Sequence, residues 1–330
     1  MKSFMAILCC SICIATAAQP TVLPSGKPDT SYSVASVYRE YEKMKNNFAG
    51  LEMVREFVSD SFKTDKNRVY LSRSERKLQL DVFRPGYKTK GKRIPILLIH
   101  GGGWRSGNRA MHYPLAQKLA MMGYVCVVPE YRLSTEALFP AAVYDLKAAL
   151  RWLLRVAKKY NLDTSKIVVM GHSAGGELAA FLGNLNNNNT AFDEMICNTI
   201  CYPRVNAIVD MDGILAFIHP ESGEGDDSKK TSAATQWFGV SKTENPQLWQ
   251  QGSPLTHAGK QSPPALFINS AVARMHAGRD DYIQIMNRHH IYTEVKTFEG
   301  APHYFCFFEP WFTPMVQYID HFLKKIFPSG

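Results

Sequence analysis

Cysteine is scarce in this chain: seven in 330 residues, and three of them, Cys9, Cys10 and Cys13, crowd the N-terminus. That supply excludes a fold built on disulfides, although Cys197 and Cys201 could pair locally, while Cys126 and Cys306 read as small core residues. Acidic residues are outnumbered, 29 against 38 Lys and Arg, for a formal net charge of +9. The basic residues are dispersed and no nucleic-acid-binding motif accompanies them, so the excess favours attraction of acidic polymers over nucleic-acid recognition. The acidic run Glu221–Asp227 lacks the Asp-x-Asp-x-Asp-Gly spacing and terminal Glu of a calcium loop, and neither metal nor cofactor is expected. No internal repeat is present, which excludes propellers and solenoids.

What is present begins with a short apolar stretch. Met1-Lys2, the run Phe4–Ile14 and the small residues Ala15–Ala18 have the form of a secretory signal covering residues 1–18. A membrane anchor is the alternative, but the run is short for a bilayer and Pro20 and Pro24 follow at once. No lipid-attachment pattern precedes the three cysteines. Residues 19–64 divide into a Pro/Ser/Thr/Gly-rich lead-in to about residue 31, expected to be flexible, and an amphipathic stretch. There Tyr38, Tyr41, Met44, Phe48, Leu51, Val54 and Val58 recur at helical spacing, predicting one or two helices.

From residue 65 the pattern turns to strands and helices in alternation. Val69–Leu71 and Leu78–Phe83 predict a hairpin, and Ile94–Ile99 a strand buried on both faces. Tyr113–Met122 predicts a helix, Tyr124–Val128 a strand, and Pro140–Tyr160 a long helix leading to the apolar run Ile167–Met170. Repeated strand–helix–strand order is the pattern of a mostly parallel sheet covered by helices, hence one α/β domain over residues 65–330.

The chemistry gathers at two glycine-rich stretches. Gly171-His172-Ser173-Ala174-Gly175-Gly176 follows a strand and opens a helix, which would hold Ser173 on a sharp turn with the Ala174 amide pointing at any oxyanion formed there. His100-Gly101-Gly102-Gly103-Trp104 follows the buried strand. Three consecutive glycines are entropically costly in a mere connector, so the amides of Gly102 and Gly103 are candidates for the rest of an oxyanion hole. His303 follows the last expected strand, Ile291–Phe298, where it can fold back toward Ser173 as a base. His257, His276, His289, His290 and His321 lie in loops or helices less suited to that task.

These blocks, with Pro129-Glu130-Tyr131-Arg132-Leu133, Phe139–Asp145 and Arg151-Trp152 between them, resemble the α/β-hydrolase fold, and more narrowly the hormone-sensitive-lipase-like esterases and related bacterial carbohydrate (acetyl or feruloyl) esterases. The resemblance covers roughly residues 65–327. It implies a nucleophile at Ser173, an oxyanion hole from Gly102, Gly103 and Ala174, and a histidine base near the chain end. Such proteins usually carry an acid a few residues beyond the strand before the last, yet Asn269–Arg274 offers no carboxylate. Asp280, at the start of the next expected helix, is the first candidate, with Asp212 and then Asp281 as alternatives.

Residues 213–262 form an irregular insertion, a candidate cap. Its Trp237, Phe238 and Trp249 either stack on a sugar or line an acyl pocket, or else pack beneath the loop. The expected function is a secreted or periplasmic serine esterase acting through an acyl-enzyme on acylated plant-type polysaccharide or oligosaccharide. No nucleic-acid partner and no stable membrane insertion are expected, and the oligomeric state stays open. A general carboxylesterase or lipase, and an inactive binding protein of the same fold, are the competing readings.

Overall fold

The computed structural model describes residues 22–73, 76–88, 91–187, 192 and 202–328. The expected signal over residues 1–18 and the possible Cys197–Cys201 pair lie outside the described residues. Cys126 and Cys306 are buried and free.

The first helix, α1 (Val34–Met44), is followed by β1 (Glu52–Met53), the hairpin β2 (Phe62–Ser72) and β3 (Lys77–Pro85), and β4 (Pro95–Ile99). Then come α2 (Tyr113–Met121), β5 (Val125–Pro129), α3 (Ala141–Tyr160), β6 (Val168–His172), α4 (Ala174–Asn184) and β7 (Ala207–Met211). The last third holds α5 (Ala233–Phe238), α6 (Pro246–Gln251), β8 (Ala265–Asn269), α7 (Arg279–Arg288), β9 (Thr293–Thr297), β10 (Phe308–Glu309) and α8 (Phe312–Ile326). One helix, not two, forms in the amphipathic stretch before the sheet. Met44, Phe48 and Val54 still pack on the core, whereas Val58 is fully exposed.

Eight strands make one sheet in the order β2-β3-β5-β4-β6-β7-β8-β9. β2 and β3 pair antiparallel, as do β3 and β5, and every other pairing is parallel. The five strands β4 to β8 are buried along their whole length, which explains their predominantly apolar sequences. Side chains alternate between two cores. Leu97, Ile99, Val127 and Val169 face α3 and α4, whereas Ile96, Leu98, Val128 and Met170 face α2, α8 and the N-terminal helix. This is the α/β-hydrolase fold. Its functional edge is the carboxyl end of the parallel strands, where β4, β6 and β7 all stop.

The lead-in is not loose over its described part. The Val22 amide donates to Gly239 O (2.9 Å), Gly26 N–H to Thr135 O (2.8 Å), and the Ser25 hydroxyl to the same Thr135 carbonyl (3.2 Å). Asp29 forms a bridge with Ser106 and an ion pair with Arg105 Nε at 3.3 Å. Composition reads such a stretch as a loop; five separate attachments make it a strap across the sheet edge. Among the described residues no helix is long and apolar enough to cross a membrane, and no cluster of His, Cys, Asp and Glu could hold a metal ion.

Candidate active site

β6 ends at His172 and α4 starts at Ala174, so Ser173 alone turns the chain, with φ 58° and ψ −127°. That left-handed conformation is strained for a residue with a Cβ. It is held by the Ser173 amide donating to Met211 O at 2.9 Å, and by the Gly176 and Glu177 amides donating to Ser173 O at 2.8 and 3.0 Å. Glycines are required on either side: a Cβ at Gly171 would run into the Gly175 carbonyl, and one at Gly175 into the Ile99 carbonyl. The Ser173 hydroxyl makes no hydrogen bond to protein among the described residues. The Ala174 amide, at the first position of α4, has no intrahelical acceptor.

Across the edge, the loop after β4 runs through Gly102 (φ 121°), Gly103 (φ 59°) and Trp104 (φ 57°). Among the described residues the amides of Gly102 and Gly103 donate to no backbone carbonyl, and both glycines line a cavity beside Ser173. The blocks flanking the motif hold this loop in place. The Tyr131 hydroxyl donates to His100 O at 2.8 Å while its ring stacks on the His100 imidazole at 4.4 Å. Asp145, wholly buried, binds Arg132 through its backbone amide (3.0 Å) and guanidinium (2.8 and 2.9 Å). Trp104 stacks on Trp237 at 4.9 Å, and its indole N–H donates to buried Glu177 at 2.8 Å, tying the loop to the helix behind Ser173.

His303 lies in the loop after β9, beside Ser173, and the acid that meets it is Asp212. The His303 Nδ1–H donates to Asp212 Oδ2 at 2.9 Å, and Ser270 N–H donates to Asp212 Oδ1 at 2.7 Å. Burial alone would raise the Asp212 pKa, but the His303 ring and Ser270 outweigh it and hold the carboxyl below its usual range. The expectation for Asp280 is therefore corrected. Asp280 sits in the first turn of α7, largely exposed, and pairs with Arg279 at 2.9 Å; Asp281 pairs with His219 at 3.2 Å. Strand register is the reason. β7 lies next to β6, with Met211 opposite His172, so the residue after β7 falls beside the residue after β6. Where an acid was expected after β8, the chain supplies the Ser270 amide that orients Asp212 instead.

His172 is a further member that motif reading passed over. Its Nε2–H donates to the His303 backbone carbonyl at 2.7 Å, and the two rings lie 4.7 Å apart. Burial lowers its pKa to about 3, so the ring stays neutral and keeps that donor. Its place in the motif was visible; its partner, 131 residues away, was not.

Ser173 and His303 together border two cavities. One, of about 260 Å³, is walled by Trp104, Ile214, Met275 and the pair Arg274–Glu224, whose charged atoms are 3.0 Å apart. Burial raises the Glu224 pKa and Arg274 opposes that rise. The other, of about 290 Å³, is bordered by Tyr32, Tyr304, Arg105 and Ser106. The insertion does border the first cavity, through Gly223, Glu224 and Ala233. Its large aromatics serve packing: Trp237 and Trp249 are 1% and 0% exposed and join Phe217 and Phe238 in one cluster.

With this geometry in view, similarity to known proteins is informative. Residues 80–286 match the BD-FAE family. The chain is 30% identical over 193 residues to a probable carboxylic ester hydrolase, LipM, of Mycobacterium tuberculosis, covering 56% of this chain and 42% of that protein. It is 36% identical over 122 residues to arylacetamide deacetylase of Oryctolagus cuniculus, covering 36% of this chain and 31% of that one. It thus spans less than half the length of these curated relatives. Among solved structures, a truncated carbohydrate esterase from gut microbiota superposes with a TM-score of 0.63 at 21% identity, covering 82% of this chain and all of that one. A thermophilic esterase of Thermogutta terrifontis superposes with a TM-score of 0.64 at 22% identity, covering 82% and 95%. The matched segment runs from β3 through the glycine loop, the turn at Ser173 and Asp212 into α7, and the chain belongs to the BD-FAE family, on an α/β-hydrolase fold.

Proposed function

We propose that this protein is a carboxylic ester hydrolase that works through an acyl-enzyme on Ser173. The observation that carries the reading is the hydrogen bond from His303 to buried Asp212, set beside a serine on a strained turn. His303 Nε2 takes the Ser173 proton as the oxygen attacks the ester carbonyl, and Asp212 stabilises the imidazolium. The amides of Gly102, Gly103 and Ala174 receive the oxyanion. His303 then protonates the leaving alcohol, and water repeats the sequence to release the acid. An inactive protein of this fold was suggested by the missing carboxylate after β8; Asp212 removes that ground.

The substrate is a short acyl ester, with acetyl esters of plant-type polysaccharides the first choice. The Arg274–Glu224 pair in the wall of the 260 Å³ cavity would have to be desolvated by a long alkyl chain, which disfavours lipid esters. The net charge of +9 favours acidic polymers such as pectin or glucuronate-bearing xylan. Export by a signal over residues 1–18 belongs to the same reading, and N-terminal sequencing of the mature protein checks it. The decisive assay compares acetate release from acetylated xylan or pectin with p-nitrophenyl palmitate hydrolysis, for the parent and Ser173→Ala. Parent activity on acetyl esters and none in Ser173→Ala is expected. Undiminished activity in the variant overturns the mechanism, and preference for palmitate overturns the substrate.

A further inference from the structure

The two cavities beside Ser173 differ in what a substrate would meet. On leaving, the alcohol must take a proton from His303, so it has to lie against the histidine side of the site. His303 borders both cavities, but the 290 Å³ one is also lined by its neighbours His172 and Tyr304, together with Tyr32, Arg105 and Ser106. The tyrosine rings stand 6.4 Å apart at 46°, forming two faces of a corner. Neither phenol oxygen has a hydrogen-bond partner among the described residues. Burial raises both pKa values, so each hydroxyl remains a neutral donor and acceptor.

Tyr32 directly follows the lead-in, between it and α1. The strap that delivers it is tied to Gly239, to Thr135 and, through Asp29, to Ser106 and Arg105 of the oxyanion loop itself. A merely connecting segment has no need of so many attachments. Aromatic faces flanked by free hydroxyls and by polar side chains match a pyranose ring, which offers apolar C–H faces and equatorial hydroxyls together. A simple alkyl alcohol uses the faces and leaves the hydroxyls unpaired.

We propose that Tyr32 and Tyr304 form the subsite for the alcohol side of the substrate, and that its occupant is a sugar ring bearing the ester. The inference rests on ester hydrolysis at Ser173. It places sugar recognition in the N-terminal strap and the His303 loop, away from the buried tryptophans of the insertion.

The test compares kcat/KM for methyl O-acetyl-β-xylopyranoside with that for ethyl acetate, in the parent and in Tyr32→Ala, Tyr32→Phe and Tyr304→Leu. The sugar-to-alkyl ratio should fall about three- to tenfold in Tyr32→Ala, the range expected for one aromatic stacking contact, and recover in part in Tyr32→Phe. Tyr304→Leu should lower the same ratio, which keeps the proposal falsifiable if Tyr32→Ala folds poorly. Equal losses on both esters would mean that the tyrosines only support the fold, and would overturn the subsite. A parent that cleaves ethyl acetate but not the sugar ester would instead overturn the carbohydrate reading, and the subsite with it.

Discussion

Replacing Asp212 by asparagine removes the carboxylate charge hydrogen-bonded to the His303 ring while nearly preserving shape. The magnitude follows from the geometry. An imidazolium and a carboxylate with charge centres about 4 Å apart attract by about 4 kcal/mol at an effective dielectric constant of about 20, or roughly 10³-fold in rate. The asparagine amide also presents either N–H or C=O to His303 Nδ1, and an N–H there selects the wrong tautomer, which brings the loss to about 10³–10⁴-fold. Asp280→Asn serves as the comparison, since that side chain is largely exposed and bound to Arg279, and a change below about twofold is expected. The assay is kcat/KM on p-nitrophenyl acetate from pH 5 to 9, with circular dichroism and thermal melting to show that both variants fold. Near-parental activity in Asp212→Asn together with a large loss in Asp280→Asn would refute the assignment, whatever the fate of Ser173.

Three further outcomes follow from the same geometry. His112 is buried with both ring nitrogens unpartnered and stacks on Phe307 at 5.3 Å, so His112→Phe should raise stability by about 1 kcal/mol at pH 7 in urea melts. Burial holds its pKa well below 6.5, so the unfolded chain takes up a proton below that pH while the folded one does not; the variant's advantage should grow by about 2 kcal/mol between pH 7 and 5, and a constant difference would contradict this. Gly175→Ala should abolish soluble, active protein or cut stability by more than about 3 kcal/mol, because the added carbon meets the Ile99 and His100 carbonyls, and parental melting would show that the turn can yield. Trp104→Phe leaves Glu177 Oε2 without its donor beside an already unpartnered Oε1, and should cost about 1–3 kcal/mol, part of it recovered in the double variant with Glu177→Leu; additive losses would deny the coupling.

The sequence by itself determined what is local. The apolar runs Ile94–Ile99, Tyr124–Val128 and Ile167–Met170 declared strands of a mostly parallel sheet, since a strand covered on both faces has no polar alternation. Gly171–Gly176 declared a strand-to-helix turn, because the close approach of carbonyls at Gly171 and Gly175 leaves no room for a side chain. His303 could be singled out by its place after the last strand. The acid could not: position along the chain ranks Asp280 ahead of Asp212, and what reverses that order is that β7 pairs directly with β6. The tryptophans of the insertion and the tyrosines at Tyr32 and Tyr304 were likewise indistinguishable by composition. Packing turned the former into the core and left the latter at the cavity wall. The strap that carries Tyr32 reads as a loose loop because its hold consists of a few bonds to residues roughly 80 to 220 positions away. Hydrophobic period and glycine placement are properties of neighbours in the chain; register, burial of a particular ring and the partner of a particular carboxylate are properties of neighbours in space, and only the tertiary structure decides those.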